Sequence, residues 1–392
     1  MIFTGDFAQL PPIRGEGASL YGRHIGQKTT MKTAQDQALG KSLWHQVTNV
    51  VILRQNMRQR EQSTEDGYLR TALENLRYNA CTQKDLQFLD SRVTSMMKGR
   101  TSVTEKGFRN VSVITSWNVH KDETNRLGSI RFANETGQQL TDFYSEDSLR
   151  RIANKHPNDI SEDQWHRRKL IHLKEISDDT DLKIPGKLSL CIGLPVMIRR
   201  NAATELGITK GQEGTVYAWQ SCKGSKGQQV LDTLFVTLFE GLPLNVVPLG
   251  PTKNRVCVNL PNNRRTMITR EQVEVLPNFA MTDYASQGKT RPFNVVDLHK
   301  CKTHQSLYTW LSRSASAAGT IILQGLSEGL KYKITKGASG ALRQEFHELE
   351  LLDEITGLRF EGTLPSNITG LTRNELIMAY RKHSLDKTSR PS

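Results

Sequence analysis

The feature that most restricts the fold is a change of strand pattern along the chain. Val111-Ser-Val-Ile-Thr115 reads as a β-branched strand, and Phe293–Leu298 and Gly319–Leu323 are short runs of apolar strand character, as in a parallel core. Between the first two lies Leu188–Val275, which has a different signature. Its β-rich segments (Leu188–Ile192, Pro195–Arg199, Gly214–Trp219, Val230–Leu238, Arg255–Leu260) are separated by Gly, Pro and Asn turns. This reads as a small, mostly antiparallel β module set within an α/β core.

Helical patterns fill the rest. One helix is expected near Asp36–Val47, around Trp44, and two more within 64–95. The second of these is opened by Thr82-x-x-Asp85, the spacing of a capping box, and carries Leu86, Leu89 and Val93 at helical intervals. Another runs from Asn118 to Asn125. The tail holds an amphipathic helix with Leu342, Phe346, Leu349, Leu352 and Ile355 on one face, then a helix opened by a second capping box, Thr372-Arg-Asn-Glu375. Ser145–Lys183 is charged and weakly periodic and is expected to be an exposed insertion; the basic end from Lys387 reads as disordered.

Near the start, Phe3-Thr4-Gly5-Asp6-Phe7-Ala8-Gln9-Leu10-Pro11-Pro12 reads as a strand end, a turn, and an extended Pro-Pro segment that forbids helix. That places Gln9 on a stiff loop just past a strand, where open α/β sheets bind ligands. By themselves these ten residues read better as an ordinary exit from a strand. Val50-Val51-Ile52-Leu53 reads as a short buried strand that delivers Arg54-Gln55-Asn56-Met57-Arg58-Gln59.

Ser286-Gln287-Gly288-Lys289-Thr290 invites comparison with the phosphate loop G-x-x-x-x-G-K-[ST], but the first glycine would fall at Asp283. A carboxylate there would face the phosphates, and no other Gly-Lys-Ser/Thr has the spacing. The loop does present Thr282, Tyr284, Ser286 and Gln287, groups able to hold a sugar-phosphate backbone or stack a base. Farther on, Arg313 stands among small and apolar neighbours, where a guanidinium needs an anion or a carboxylate. Taken alone, Arg313 reads better as closing a structural salt bridge.

The 392 residues suffice for two or three domains, and the formal net charge of +13 suits a polyanionic partner, nucleic acid first. The five cysteines are widely spaced with no C-x-x-C, so no zinc site or disulfide framework is expected, and a reducing compartment fits. Met1-Ile2-Phe3 leads straight into Gly-Asp without a signal-peptide pattern, and no apolar run is long enough to span a bilayer.

Taken in order, these stretches resemble the PIF-type, RecD-like DNA helicases of superfamily one. Gly5-Asp6-Phe7-x-Gln9-Leu10-Pro11-Pro12 is similar to their motif III, Arg58-Gln59 to motif IV, and Asn118 to Asn125 to their TN…N segment. Gly193-Leu-Pro-Val-Met197, Asn201 and Gly211-x-x-Gly214-x-Val216 resemble the entrance to their inserted β-barrel. Ala280-x-Thr282 through Leu298 is similar to motif V, and Leu311-Ser312-Arg313 to motif VI. The resemblance spans Gly5 to about Leu323.

It implies an α/β fold with the remnant of a first RecA-like domain (1–57), a second of P-loop NTPase type (58–199 and 269–330), an inserted barrel (200–268) and a helical extension with a basic tail (331–392). It further implies ATP-driven translocation on single-stranded DNA with duplex unwinding, using ATP and Mg2+. Gln9 would sense the γ-phosphate, and Arg58 and Arg313 would act as arginine fingers. Gly5, Asp6 and Gly288 would complete the nucleotide surroundings. Thr282, Tyr284, Ser286, Gln287 and Asn118 would grip the strand.

Two departures qualify this. Tyr284-Ala285 stands where the family carries His-Lys, and the family's phosphate loop and acidic pair, which lie before motif III, have no counterpart in the chain. The chain alone is therefore expected not to hydrolyse ATP, as a truncated gene product or a remnant lacking an N-terminal half. Two alternatives stand beside the motor: an ATPase-inactive single-strand-binding remnant, and a protein-interaction module. A monomer inside the cell is expected, in the nucleus or the mitochondrion.

Overall fold

The structure is a computed structural model and describes residues 2–12, 19–22, 32–59, 63–94, 103–149, 184–238, 246–259, 265–299, 301 and 303–388. Two compact units emerge: Met1–Arg92 with Lys302–Gly319 and Leu326–Ser392, and Val93–Cys301 with Thr320–Gly325. The basic end beyond 388 and most of the expected insertion, 150–183, lie outside the described residues.

The second unit holds all the strands among the described residues. In chain order these are β1 (Val113–Thr115), β2 (Thr141–Tyr144), β3 (Glu146–Leu149), β4 (Lys187–Leu190), β5 (Pro195–Ile198), β6 (Glu213–Lys223) and β7 (Gln229–Leu238). They continue with β8 (Val246–Leu249), β9 (Thr252–Asn259), β10 (Arg265–Gln272), β11 (Val275–Pro277), β12 (Ala280–Thr282), β13 (Asn294–Asp297) and β14 (Thr320–Ile322).

The three runs at 111–115, 293–298 and 319–323 become β1, β13 and β14 and, joined at the edge by β12, form a four-stranded sheet, order β12-β1-β13-β14, parallel throughout. Ile114, Val296, Ile321 and Ile322 are fully buried in it, as the unbroken apolar pattern requires. The helix after β1, Asn118–Glu135, runs well beyond its expected end. It lies close against the segment entering β12: a Cβ on Gly128 would come within 2.4 Å of the Phe279 ring. Asn125 stitches the two together, accepting from the N–H groups of Phe279 and Ala280 at 2.8 Å and donating to the Ala280 carbonyl at 3.2 Å.

The antiparallel module forms a five-stranded sheet (β11-β5-β6-β7-β8), a three-stranded one (β3-β10-β9) and the pair β2-β4. Alternating inward residues such as Val196, Ile198, Leu234 and Val236 build one core with Phe143, Leu188 and Leu190. Gly214 sits where β6 meets β7, and a Cβ there would strike the Thr237 carbonyl oxygen at 2.3 Å. The charged stretch expected to be an exposed insertion opens with strand β3 instead. Asp147 on β3 and Arg270 on β10 are cross-strand partners that form a buried bidentate ion pair, Nε–Oδ1 and Nη2–Oδ2 both 3.0 Å. A charged strand is thus anchored by a buried counter-charge, which the hydrophobic pattern does not reveal.

The first unit is helical: Lys32–Trp44, Thr64–Arg77, Gln83–Ser91, His304–Leu311, Glu328–Thr335, Gly340–Phe360 and Arg373–Thr388. Both expected capping boxes form, with Thr82 and Asp85 exchanging side-chain and backbone bonds, and Glu375 accepting from the Thr372 N–H at 3.2 Å. The two short strands expected in this unit do not form. Residues 2–5 have no ladder partner among the described residues. Val50–Leu53 is extended, but its N–H groups go to side chains of the Gly340–Phe360 helix: Val50 to Thr356 Oγ1 (3.0 Å) and Ile52 to Asp353 Oδ1 (2.7 Å). Val51 and Leu53 are largely exposed as a result.

Candidate nucleotide and nucleic-acid sites

In the first unit, Asp6 heads a tight turn: its carboxylate accepts from the Ala8 N–H and its carbonyl from the Gln9 N–H, both at 3.0 Å. Ala8 anchors the turn, fully buried against Tyr21, Leu342 and Phe346. The turn and this packing position Gln9. Gly5 has open space where a side chain would sit, so the fold shows no requirement for glycine there.

The helix His304–Leu311 is capped by Thr303 and buries Leu307, Trp310 and Leu311. Its end curls so that the N–H groups of Ser312, Arg313 and Ser314 return to helix carbonyls. Arg313 is thereby turned inward, 1% exposed, with Nε on the Thr309 carbonyl (2.7 Å) and Nη2 on Ser312 Oγ (2.8 Å). Arg58 reaches the same turn, donating Nη1 to the Ser312 carbonyl at 2.8 Å, while Gln59 Nε2 donates to the Ser314 carbonyl. Asn56 Oδ1 accepts from the N–H groups of Arg58 and Gln59 and folds the loop that carries them.

The electrostatics tie these groups together. Burial, then the Arg58 charge, pulls the Arg313 guanidinium down to about 10, with Tyr308 and Asp6 opposing. Burial also lowers Arg58. Tyr308 is pushed up by burial and by Asp6, and it feels Arg77 and Arg313. Arg77 completes the cluster with an ion pair to Asp6 at 3.1 Å; burial opposes its charge, and Asp6 with Tyr308 more than compensates. Among the described residues Arg313 forms no ion pair with a carboxylate. Asp6, Arg58 and Arg313 therefore converge, and the cluster is cation-rich. Sequence reasoning did not assign roles to Arg77 or Tyr308. Tyr308 carried a faint signal as a polar ring in an apolar helix; Arg77 carried none.

In the second unit, β12 and β1 end level: Thr282 is in register with Thr115. Immediately beyond them stand Tyr284, exposed on the one-turn helix Asp283–Ser286, and Asn118 at the start of its helix. Gln287 is exposed on the same loop, and Gly288 takes φ +83°, a left-handed turn that favours glycine. Ser286 differs from expectation: it is fully buried, and its hydroxyl donates to the Asp283 carbonyl at 2.7 Å, so it shapes the turn rather than facing solvent. Lys289 ties the loop to the turn before Gly214, pairing with Glu213 and donating to the Gly211 carbonyl at 2.7 Å. A small pocket beside Thr282 is lined by Lys121, Asn125, Arg199 and Asn278. Burial lowers the Arg199 guanidinium, whose Nε has no hydrogen-bond partner. Among the described residues no cluster of His, Cys, Asp or Glu could hold a metal ion, and no helix is long and apolar enough to cross a membrane.

No protein-family model and no curated protein matches the chain. Solved structures do. The chain is similar to Pif1 helicase from Candida albicans (TM-score 0.54, 17% identity) over 88% of its own length and 67% of the other's. Bacteroides Pif1 bound to ssDNA gives a TM-score of 0.55 at 16% identity, covering 92% of this chain and 67% of that one. Bacteroides Pif1 with ADP-AlF3 and ssDNA gives 0.52 at 17% identity over the same shares. The chain has an α/β fold like that of the Pif1 helicases and is related to them in fold.

Proposed function

We propose that the chain serves a helicase-type motor, binding a nucleoside triphosphate in its first unit and single-stranded DNA at the parallel-sheet edge of its second. The observation that carries this is the buried Arg313 guanidinium beside Arg58, without a carboxylate ion-pair partner among the described residues and held near 10. An anionic phosphate would relieve that penalty, and the charge-assisted bonds it would make are among the strong ones. Asp6, paired with Arg77, heads the turn that carries Gln9 and also bears on Arg313, and in this reading Gln9 would report phosphate occupancy. Such fingers can be worth about 10³–10⁵ in phosphoryl-transfer rate. The donor set fits a triphosphate.

At the other site, Thr282, Tyr284, Gln287 and Asn118 offer hydroxyl, ring and amides for a sugar-phosphate backbone and its bases. The antiparallel sheets correspond in this reading to an inserted barrel flanking that strand. The Pif1 neighbours solved with ssDNA and with ADP-AlF3 support it. One sequence observation favours a second reading, an ATPase-inactive single-strand binder: the 392 residues contain no G-x-x-x-x-G-K-[ST].

Thermal unfolding with millimolar ATP and oligo-dT tests the nucleotide site, since a ligand of the native state raises Tm by mass action. The proposal expects a rise in the wild-type chain that is lost in Arg313→Ala. A wild-type Tm indifferent to ATP overturns the nucleotide site. Phosphate release from the same samples separates the motor from the inactive binder.

A further inference from the structure

Two residues beyond the paired strand ends of the parallel sheet, the chain leaves an indole in solvent. Trp117 is 42% exposed, although it follows directly on the buried strand β1. Its ring stacks on His120, one turn along the helix it precedes, with centroids 5.6 Å apart and planes at 30°. His120 in turn sits with Nδ1 4.0 Å from Asp297 Oδ2, at the end of β13. The indole is thus held from beneath by a second ring, which leans on a neighbouring strand end. Tyr284, 49% exposed, stands two residues past the strand position paired with Thr115, as Trp117 does on its own strand. Asn118 and Lys121 border the platform with polar and cationic groups, Lys121 Nζ lying 3.3 Å from Asn118 Oδ1.

A flat, solvent-facing aromatic pair at the ligand-binding edge of an α/β sheet, in a chain of net charge +13, has the makings of a base-stacking site. We propose that Trp117, backed by His120, stacks a base of the single strand held at this edge. The inference rests on the single-strand reading above and adds the residue that contacts the base. Stacking is indifferent to base identity, because every base presents a π-face. It also takes no counterions from the backbone, so its energetic signature differs from that of a phosphate contact.

Anisotropy titrations of the full chain with labelled oligo-dT, and with an abasic strand of the same length, over a range of salt test this. Trp117→Ala is expected to weaken oligo-dT binding roughly 5- to 100-fold. The slope of log K against log salt should stay unchanged, and the abasic strand should bind as tightly as it does to wild type. Trp117→Phe should recover most of the loss, and His120→Ala should show a smaller one. Wild-type affinity for oligo-dT in Trp117→Ala, or an equal loss on the abasic strand, overturns the platform. Failure of the wild-type chain to bind either strand overturns the single-strand reading itself and the platform with it.

Discussion

Arg313 poses the sharpest question at the level of single residues. A buried guanidinium held near 10 carries about 3 kcal/mol of unfavourable charge at neutral pH. Its folded value lies below its unfolded one, so the penalty is present below about 10 and is relieved as pH rises through that value. Urea unfolding should therefore find Arg313→Met as stable as wild type or more so at pH 7, with the gap closing above pH 10. A loss of more than about 2 kcal/mol would mean that the arginine is a structural tie after all. The isolation of this cation was readable from its small and apolar neighbours. The identity of the groups around it was not, because Asp6 and Arg58 reach it through tertiary packing that no local pattern records. Ser286 shows the converse: a hydroxyl that reads as a surface ligand is turned inward to close its own helical turn.

Among the elements, local chemistry was legible wherever the partner lies within a few residues. The capping boxes at Thr82/Asp85 and Thr372/Glu375 form as written. The apolar runs become the parallel sheet, because a strand buried on both faces has few other places to lie. Misreadings arose where a distant partner decides. Val50–Leu53 has strand composition, yet Thr356 and Asp353 of a helix take its N–H groups. Glu146–Leu149 looks like exposed insertion, yet Arg270 draws it into a sheet. That last pair is strongly coupled: Asp147→Ala leaves a buried guanidinium alone and should cost about 3–5 kcal/mol, with β3 losing amide-exchange protection first. A cost below 1 kcal/mol would mean that the strand is held by its backbone ladder and not by the ion pair.

For the whole molecule, the order of motifs carried more than any one of them. A glycine turn, two arginines, an amide loop and a β-rich interruption are each commonplace, and their sequence along one chain is what led to the helicase fold. What that order could not supply is which side chains meet. The structure answers this inside each unit: a cation-rich cluster around the Asp6 turn, and an edge of strand ends bearing Thr282, Asn118 and the Trp117 ring.

The central claim is that this edge holds a single strand of DNA, and equilibrium binding of oligo-dT as a function of salt tests it most directly. The account predicts a log K that falls linearly with log salt, with a slope of about −0.7 for each phosphate engaged. Binding that is absent at low salt, or that does not change as salt rises, would contradict it.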